Sequence, residues 1–188
     1  RFVDPALHFD EARLAELGII STVVEIWERR MEAPLEDRWL VYLLPLVKGV
    51  EETVVLHMAA RLSMPKRAVV VLAQLGRALE TLVTLSNIDR PSEITLLLER
   101  FDLLTVLYLD ALNRQGLRKV DKIERYLYEW RHIKGEVTGE ELLALGLPEG
   151  PEVGDLLDRL RDARFEGEAT SKDEELELAR HELAARTS

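Results

Sequence analysis

Apolar residues recur at intervals of three and four along almost the whole chain, with none of the sustained alternation that marks strands. The pattern predicts an all-α protein, a compact bundle of about eight to ten short helices. A first helix is expected over Asp10–Arg30, with Leu14, Leu17, Val24, Trp27 and Met31 near one face and Glu32, Ala33 and Pro34 breaking it. A second spans Leu35–Lys48, where Trp39, Leu40, Leu43, Leu46 and Val47 face inward, Pro45 kinks or ends the helix, and Gly49 stops it. Glu51–Leu62 forms a third, and Ser63, Met64 and Pro65 punctuate the start of a fourth from Lys66 to Ser86.

Ser92 is expected to cap the next helix, whose stripe of Ile94, Leu97, Leu98, Phe101 and Leu104 carries it to Asn113–Gly116. Leu117–Ile133 follows, with Val120, Ile123, Leu127 and Trp130 at helical spacing and Gly135 closing it. Near the C-terminus, Ser171 with Glu174 three residues on matches a capping box that opens a charged terminal helix, frayed over Ala185–Ser188. No internal repeat period is visible.

Between these last helices lies a helical hairpin in which Gly146, Pro148, Gly150, Pro151 and Gly154 fall within nine residues. Leu142, Leu143 and Leu145 end one apolar face at Gly146, which can adopt the left-handed geometry that closes a helix. Pro148 blocks continuation, and Pro151 suits the first position of a new helix with Val153, Leu156, Leu157 and Leu160 on its buried face. Two readings stay open for the backbone at Gly146, Gly150 and Gly154: a structural corner, or a cradle of N–H groups for a phosphate.

The net charge of -10 argues against a polyanionic partner until its distribution is considered. From Glu136 onward there are 15 acidic and 6 basic residues, so the first 135 are nearly neutral. That contrast divides the chain into a helical body, 1–135, and an acidic tail, 136–188, that carries the hairpin. Within the body, Asn113–Lys134 holds 7 basic and 3 acidic residues. On a helical wheel, Arg118, Lys122 and Arg125 make one edge opposite the apolar stripe, bordered by Tyr126 and Tyr128, whose rings suit stacking on exposed bases. A solvated face with internal partners Asp121 and Glu124 is the plain alternative. Lys66 and Arg67 make a second, weaker basic point.

Cysteine is absent, which excludes disulfides and thiolate metal sites and fits a reducing cytoplasm. No apolar run approaches a membrane span, and the N-terminus lacks a signal-peptide pattern, so neither membrane nor secretion is expected. The histidines His8, His57, His132 and His181 are scattered, and GxGxxG, GxxxxGK and GxSxG motifs are missing, so no catalytic residue, metal or cofactor is expected. A first residue of Arg1 rather than methionine suggests an excised piece of a longer protein.

Four segments in order, DRWLVYLLPL (Asp37–Leu46), RLSMPKR (Arg61–Arg67), RPSEI (Arg90–Ile94) and TGEELLALGLPEGPEVGDLL followed by DARFEGEATSKDEELELAR, carry a resemblance over nearly the whole chain. The sequence resembles the C-terminal helical region of bacterial class II tRNA nucleotidyltransferases and poly(A) polymerases, particularly long forms with CBS and DHH-type domains. The resemblance implies a noncatalytic region that holds a tRNA or other RNA 3' end for an N-terminal catalytic head of the same polypeptide. Mg2+ and ATP or CTP would belong to that head, whose glycine-rich loop and DxD pair this sequence lacks. Which nucleotides are added is also decided there.

One departure concerns the hairpin, where Glu149, Glu152 and Asp155 flank the glycines and would repel RNA. Either it is a corner that orients the tail, or Arg159, Arg161 and Arg164 compensate. The basic edge is therefore the expected RNA contact. The rival is a protein interaction or dimerisation module without RNA binding, and a homo-oligomer stays open under both.

Overall fold

Asp10 opens the first helix by accepting the Arg13 backbone N–H at 2.8 Å, and the left-handed Glu32 closes it. The computed structural model describes residue 4, residues 7–116 and residues 121–186. Among these residues there are ten α-helices and no strand, the all-α bundle that the apolar periodicity predicts. The helices are α1 Glu11–Met31, α2 Trp39–Val47, α3 Glu52–Arg61, α4 Lys66–Leu85 and α5 Pro91–Leu98. They continue as α6 Leu103–Gln115, α7 Lys122–Tyr128, α8 Gly139–Ala144, α9 Pro151–Glu166 and α10 Lys172–Arg186, with a 3-10 turn at Trp130–His132 after α7.

α6, buried from Leu104 to Ala111, forms the axis of the first and larger core. Leu104, Val106, Leu107, Tyr108, Leu109 and Ala111 are apolar on every side because α1, α2 and α4 pack around them. α4 has the length and apolar composition of a membrane span. Here its stripe of Ala68, Val71, Leu72, Leu75, Ala78 and Leu85 is instead buried against α3 and α6, as in the central helix of a bundle. The tail builds a second cluster from Val137, Leu142, Leu147, Leu156, Leu160 and Ala179. Phe165 on α9 belongs to the first core, and Glu166 accepts from the backbone N–H and hydroxyl of Ser92 on α5 at 3.2 and 2.6 Å.

Several sequence expectations change in the packed chain. Leu14 and Trp39, expected to face inward, are 57% and 44% exposed. Glu16 is buried in place of Leu14 because it accepts the Tyr108 hydroxyl at 2.9 Å and pairs with Lys48. Ser92 is no cap: Pro91 occupies the first helical position after an extended Arg90, and the serine hydroxyl reaches the tail instead. The single helix expected from Ser92 to Asn113–Gly116 is broken at Glu99–Asp102, where Asp102 becomes the cap of α6 by accepting from Leu104 N–H at 2.9 Å. The helix expected over Leu117–Ile133 ends its α-helical part at Tyr128. At the C-terminus α10 stays helical through Arg186, and the last two residues lie outside the described ones.

The hairpin follows its residue chemistry closely. Thr138 and Glu141 form a reciprocal capping box at the start of α8. At its end Gly146, with φ +99, donates to Leu143 carbonyl at 2.9 Å while Leu147 donates to Leu142 carbonyl at 3.2 Å, a Schellman closure with Leu142 and Leu147 both buried. Pro151 begins α9, and Gly154 lies in its first turn. Gly139 packs closely on α9, since a Cβ there would come within 3.3 Å of Val153 Cγ1.

Candidate nucleic-acid interface

A helix can grip RNA only with cations that its own fold has left free, so each candidate is judged by what it already touches. Arg118 lies outside the described residues. Lys122, at the start of α7, turns inward: its ammonium donates to Leu85 carbonyl at 3.2 Å and to Ile88 carbonyl, and pairs with Asp89 at 2.8 Å. It completes the carbonyl end of α4 rather than an exposed edge, because the open end of a helix offers acceptors that a nearby ammonium satisfies. Tyr126 is also buried, at 6% exposure, and burial pushes its phenol pKa up. Tyr128 is half-buried with Arg30 stacked on its ring at 4.2 Å, and its buried hydroxyl has no hydrogen-bond partner. Neither ring is presented to solvent as a free stacking platform.

Arg125 is the member of the edge that remains outside. It is half-exposed, lies over the Trp130 ring at 4.6 Å, and among the described residues pairs with the exposed Glu129 at 3.2 Å. A pair of that kind is worth little in water and yields easily to a phosphate. Just beyond it, Arg131 and Lys134 are exposed and make no ion pair among the described residues. Lys134 lines an open depression with His132, Glu136, Arg164 and Thr170, at the junction of body and tail. The wheel missed this segment because it continued a helix through Glu129, where the backbone tightens into the 3-10 turn.

Lys66 and Arg67 are neighbours with opposite fates. Lys66 is exposed and makes no ion pair among the described residues, whereas Arg67 bridges Asp37 at 3.1 Å and Asp102 at 3.0 Å. At the hairpin, Glu149, Glu152 and Asp155 are exposed. The three arginines of α9 are engaged elsewhere, Arg159 with Glu182, Arg161 with Glu99, and Arg164 with Glu175 and Glu136. None of the three answers those carboxylates. Among the described residues, no group of three or more histidine and carboxylate side chains is placed to hold a metal ion.

No protein-family model matches the chain. Over 190 residues, 95% of its length, it is 27% identical to an A-adding tRNA nucleotidyltransferase of Geobacter sulfurreducens, and it spans only 21% of that relative. Its fold is similar to that of a tRNA-processing enzyme solved in an apo form, with a TM-score of 0.67 and 21% identity over 86% of this chain and 40% of the other. A tRNA-processing enzyme solved with CTP gives a TM-score of 0.68 and 20% identity, over 86% of this chain and 42% of the other.

Proposed function

We propose that this chain is the helical RNA-holding region of a tRNA nucleotidyltransferase of the class II, CBS-containing type, and that it performs no chemistry itself. The observation that carries the reading is the reach of the likeness: similarity to an A-adding enzyme runs through 95% of the chain, body and acidic tail alike. Similar folds in tRNA-processing enzymes support the same architecture. In this reading a catalytic head in the same polypeptide binds Mg2+ and ATP or CTP, and the helical region presents the tRNA 3' end to it in the cytoplasm. Electrostatic grip on phosphates supplies affinity without reading sequence, as recognition of RNA by shape requires. Arg125, Arg131, Lys134 and Lys66 are among the cations offered to solvent for this purpose.

The test is binding of a fluorescent tRNA transcript to the chain across a salt titration, beside the triple variant Arg125→Ala, Arg131→Ala, Lys134→Ala. The reading expects affinity that falls steeply with salt and a shallower slope in the variant. Absence of binding at low salt sinks it. Concentration-dependent self-association of such a non-binding chain would favour the dimerisation module instead.

A further inference from the structure

The break between α5 and α6 opens a groove against α4, of about 310 Å³, lined by Gln74, Arg77, Glu80, Leu97, Arg100 and Phe101 with two threonines. Arg77 and Arg100 are both exposed, and neither makes an ion pair among the described residues. That sets them apart from the arginines of α9, each of which meets a carboxylate. Their backbones are fixed. The Gln74 amide donates to Arg100 carbonyl at 3.2 Å, its oxygen accepts the Asp102 N–H at 3.2 Å, and Thr81 Oγ1 donates to Arg77 carbonyl at 2.9 Å. Leu97 and the half-buried Phe101 give the groove an apolar wall.

We propose that Arg77 and Arg100 form a phosphate-gripping subsite for an RNA strand, separate from the cations after α7, with Phe101 as the surface on which a base or ribose rests. Two planar guanidinium groups beside an aromatic wall match an alternating phosphate and base, and a guanidinium meets phosphate oxygens in a two-pronged fit. Lys66 lies eleven residues before Arg77 on α4, nearly the same helical face and about 16 Å along the axis, so the subsite extends into a line of cations. Glu80 is the opposing charge in the groove, and the subsite works against it. This inference rests on the RNA-holding reading above and assigns it residues which that reading does not need.

The experiment is tRNA binding to the chain over a salt titration, with Arg77→Gln/Arg100→Gln, Arg77→Lys/Arg100→Lys and Glu80→Gln variants. The glutamine pair is expected to weaken binding at low salt about 10- to 100-fold and to reduce the slope of log affinity against log salt by about 1 to 2, given roughly 0.7–0.9 per phosphate contact. The lysine pair keeps the slope, and Glu80→Gln tightens binding. Both arginine heads are solvent-exposed, and the urea midpoints of all variants are expected to match the wild type. A glutamine pair that binds tRNA with wild-type affinity and slope overturns the subsite while leaving the RNA-holding reading intact. So does a loss confined to a poly-glutamate probe, which would mark the groove as a site for acidic protein. A wild-type chain that binds no tRNA overturns both.

Discussion

Arg67 and Asp102, thirty-five residues apart in sequence, meet through two parallel contacts, Nε to Oδ2 at 3.0 Å and Nη2 to Oδ1 at 3.1 Å. The same carboxylate caps α6 through Leu104 N–H, so one side chain both starts the central helix and ties it to α4. Gln74, two turns further along α4, holds the Asp102 N–H and the Arg100 carbonyl. The corner between α5 and α6 is thus fastened by α4. Asp102→Ala is expected to destabilise the protein by about 2 kcal/mol, the upper range for a lost cap, and Arg67→Ala by about 1 kcal/mol. Urea denaturation of the two single variants and the double variant measures their coupling, and strictly additive losses would dismiss the link.

Lys122 separates structural from binding charge. Its ammonium, largely enclosed, satisfies the Leu85 carbonyl at the end of α4 and the Ile88 carbonyl in the loop after it, and replacing it removes that donor from both. Lys122→Met is expected to cost about 1–3 kcal/mol in stability. Arg125→Ala, on the exposed side of the same helix, is expected to change stability by less than about 1 kcal/mol. Thermal melts of the two variants check the contrast, which fails if Arg125 proves the more destabilising.

At the base of the tail, Glu175 is buried and accepts Val137 N–H at 2.8 Å, Glu136 N–H at 3.0 Å and Arg164 at 2.6 Å. It gathers the linker, α9 and α10 at one point. Glu175→Ala leaves the enclosed Val137 N–H without its acceptor and removes one of the two carboxylates that meet Arg164, and it is expected to cost about 1–3 kcal/mol. Hydrogen exchange is expected to show the loss first at Val137 and along α10, and an unchanged Val137 amide would contradict this role.

Both tail capping boxes make stability depend on acid. Glu141 is held below the ordinary glutamate value of 4.5, mainly by the Lys172 ammonium and then by Thr138 N–H. Glu174 is lowered chiefly by the Thr170 N–H. A carboxylate with a depressed folded pKa adds stability that is present in full above its unfolded value and lost as pH falls through the folded one. Acid should therefore loosen α8 and α10 below about pH 4.5. In Glu141→Gln/Glu174→Gln, this part of the decline in helical circular dichroism is expected to flatten, because glutamine makes the same backbone contact without titrating. An unaltered acid limb would rule the boxes out.

Much of this fold was legible in local chemistry. The Asp10–Arg30 helix, the Gly146 closure, the Pro151 start and the Ser171–Glu174 box all appear where the sequence put them, within a residue or so at the ends. These features depend on neighbours within about five residues, where backbone geometry and one side chain decide the outcome. The candidate site was far less legible. A helical wheel sorts residues by angle and shows what could point outward, but not which other helix stands there. Lys122 and Tyr126 lie inward because α4 ends beside one and burial encloses the other, and Arg67 is taken up by an aspartate on another helix.

The sequence by itself determined an all-helical chain, the turn between α8 and α9 and an acidic tail, since periodicity, glycine and proline geometry, and net charge are local or additive properties. Only the tertiary structure decided which cations remain for a partner. Ion pairing depends on distances of a few ångströms between residues far apart in the chain: of Arg67 and Arg77, ten residues apart on one helix, the first meets Asp37 and Asp102 while the second makes no ion pair among the described residues.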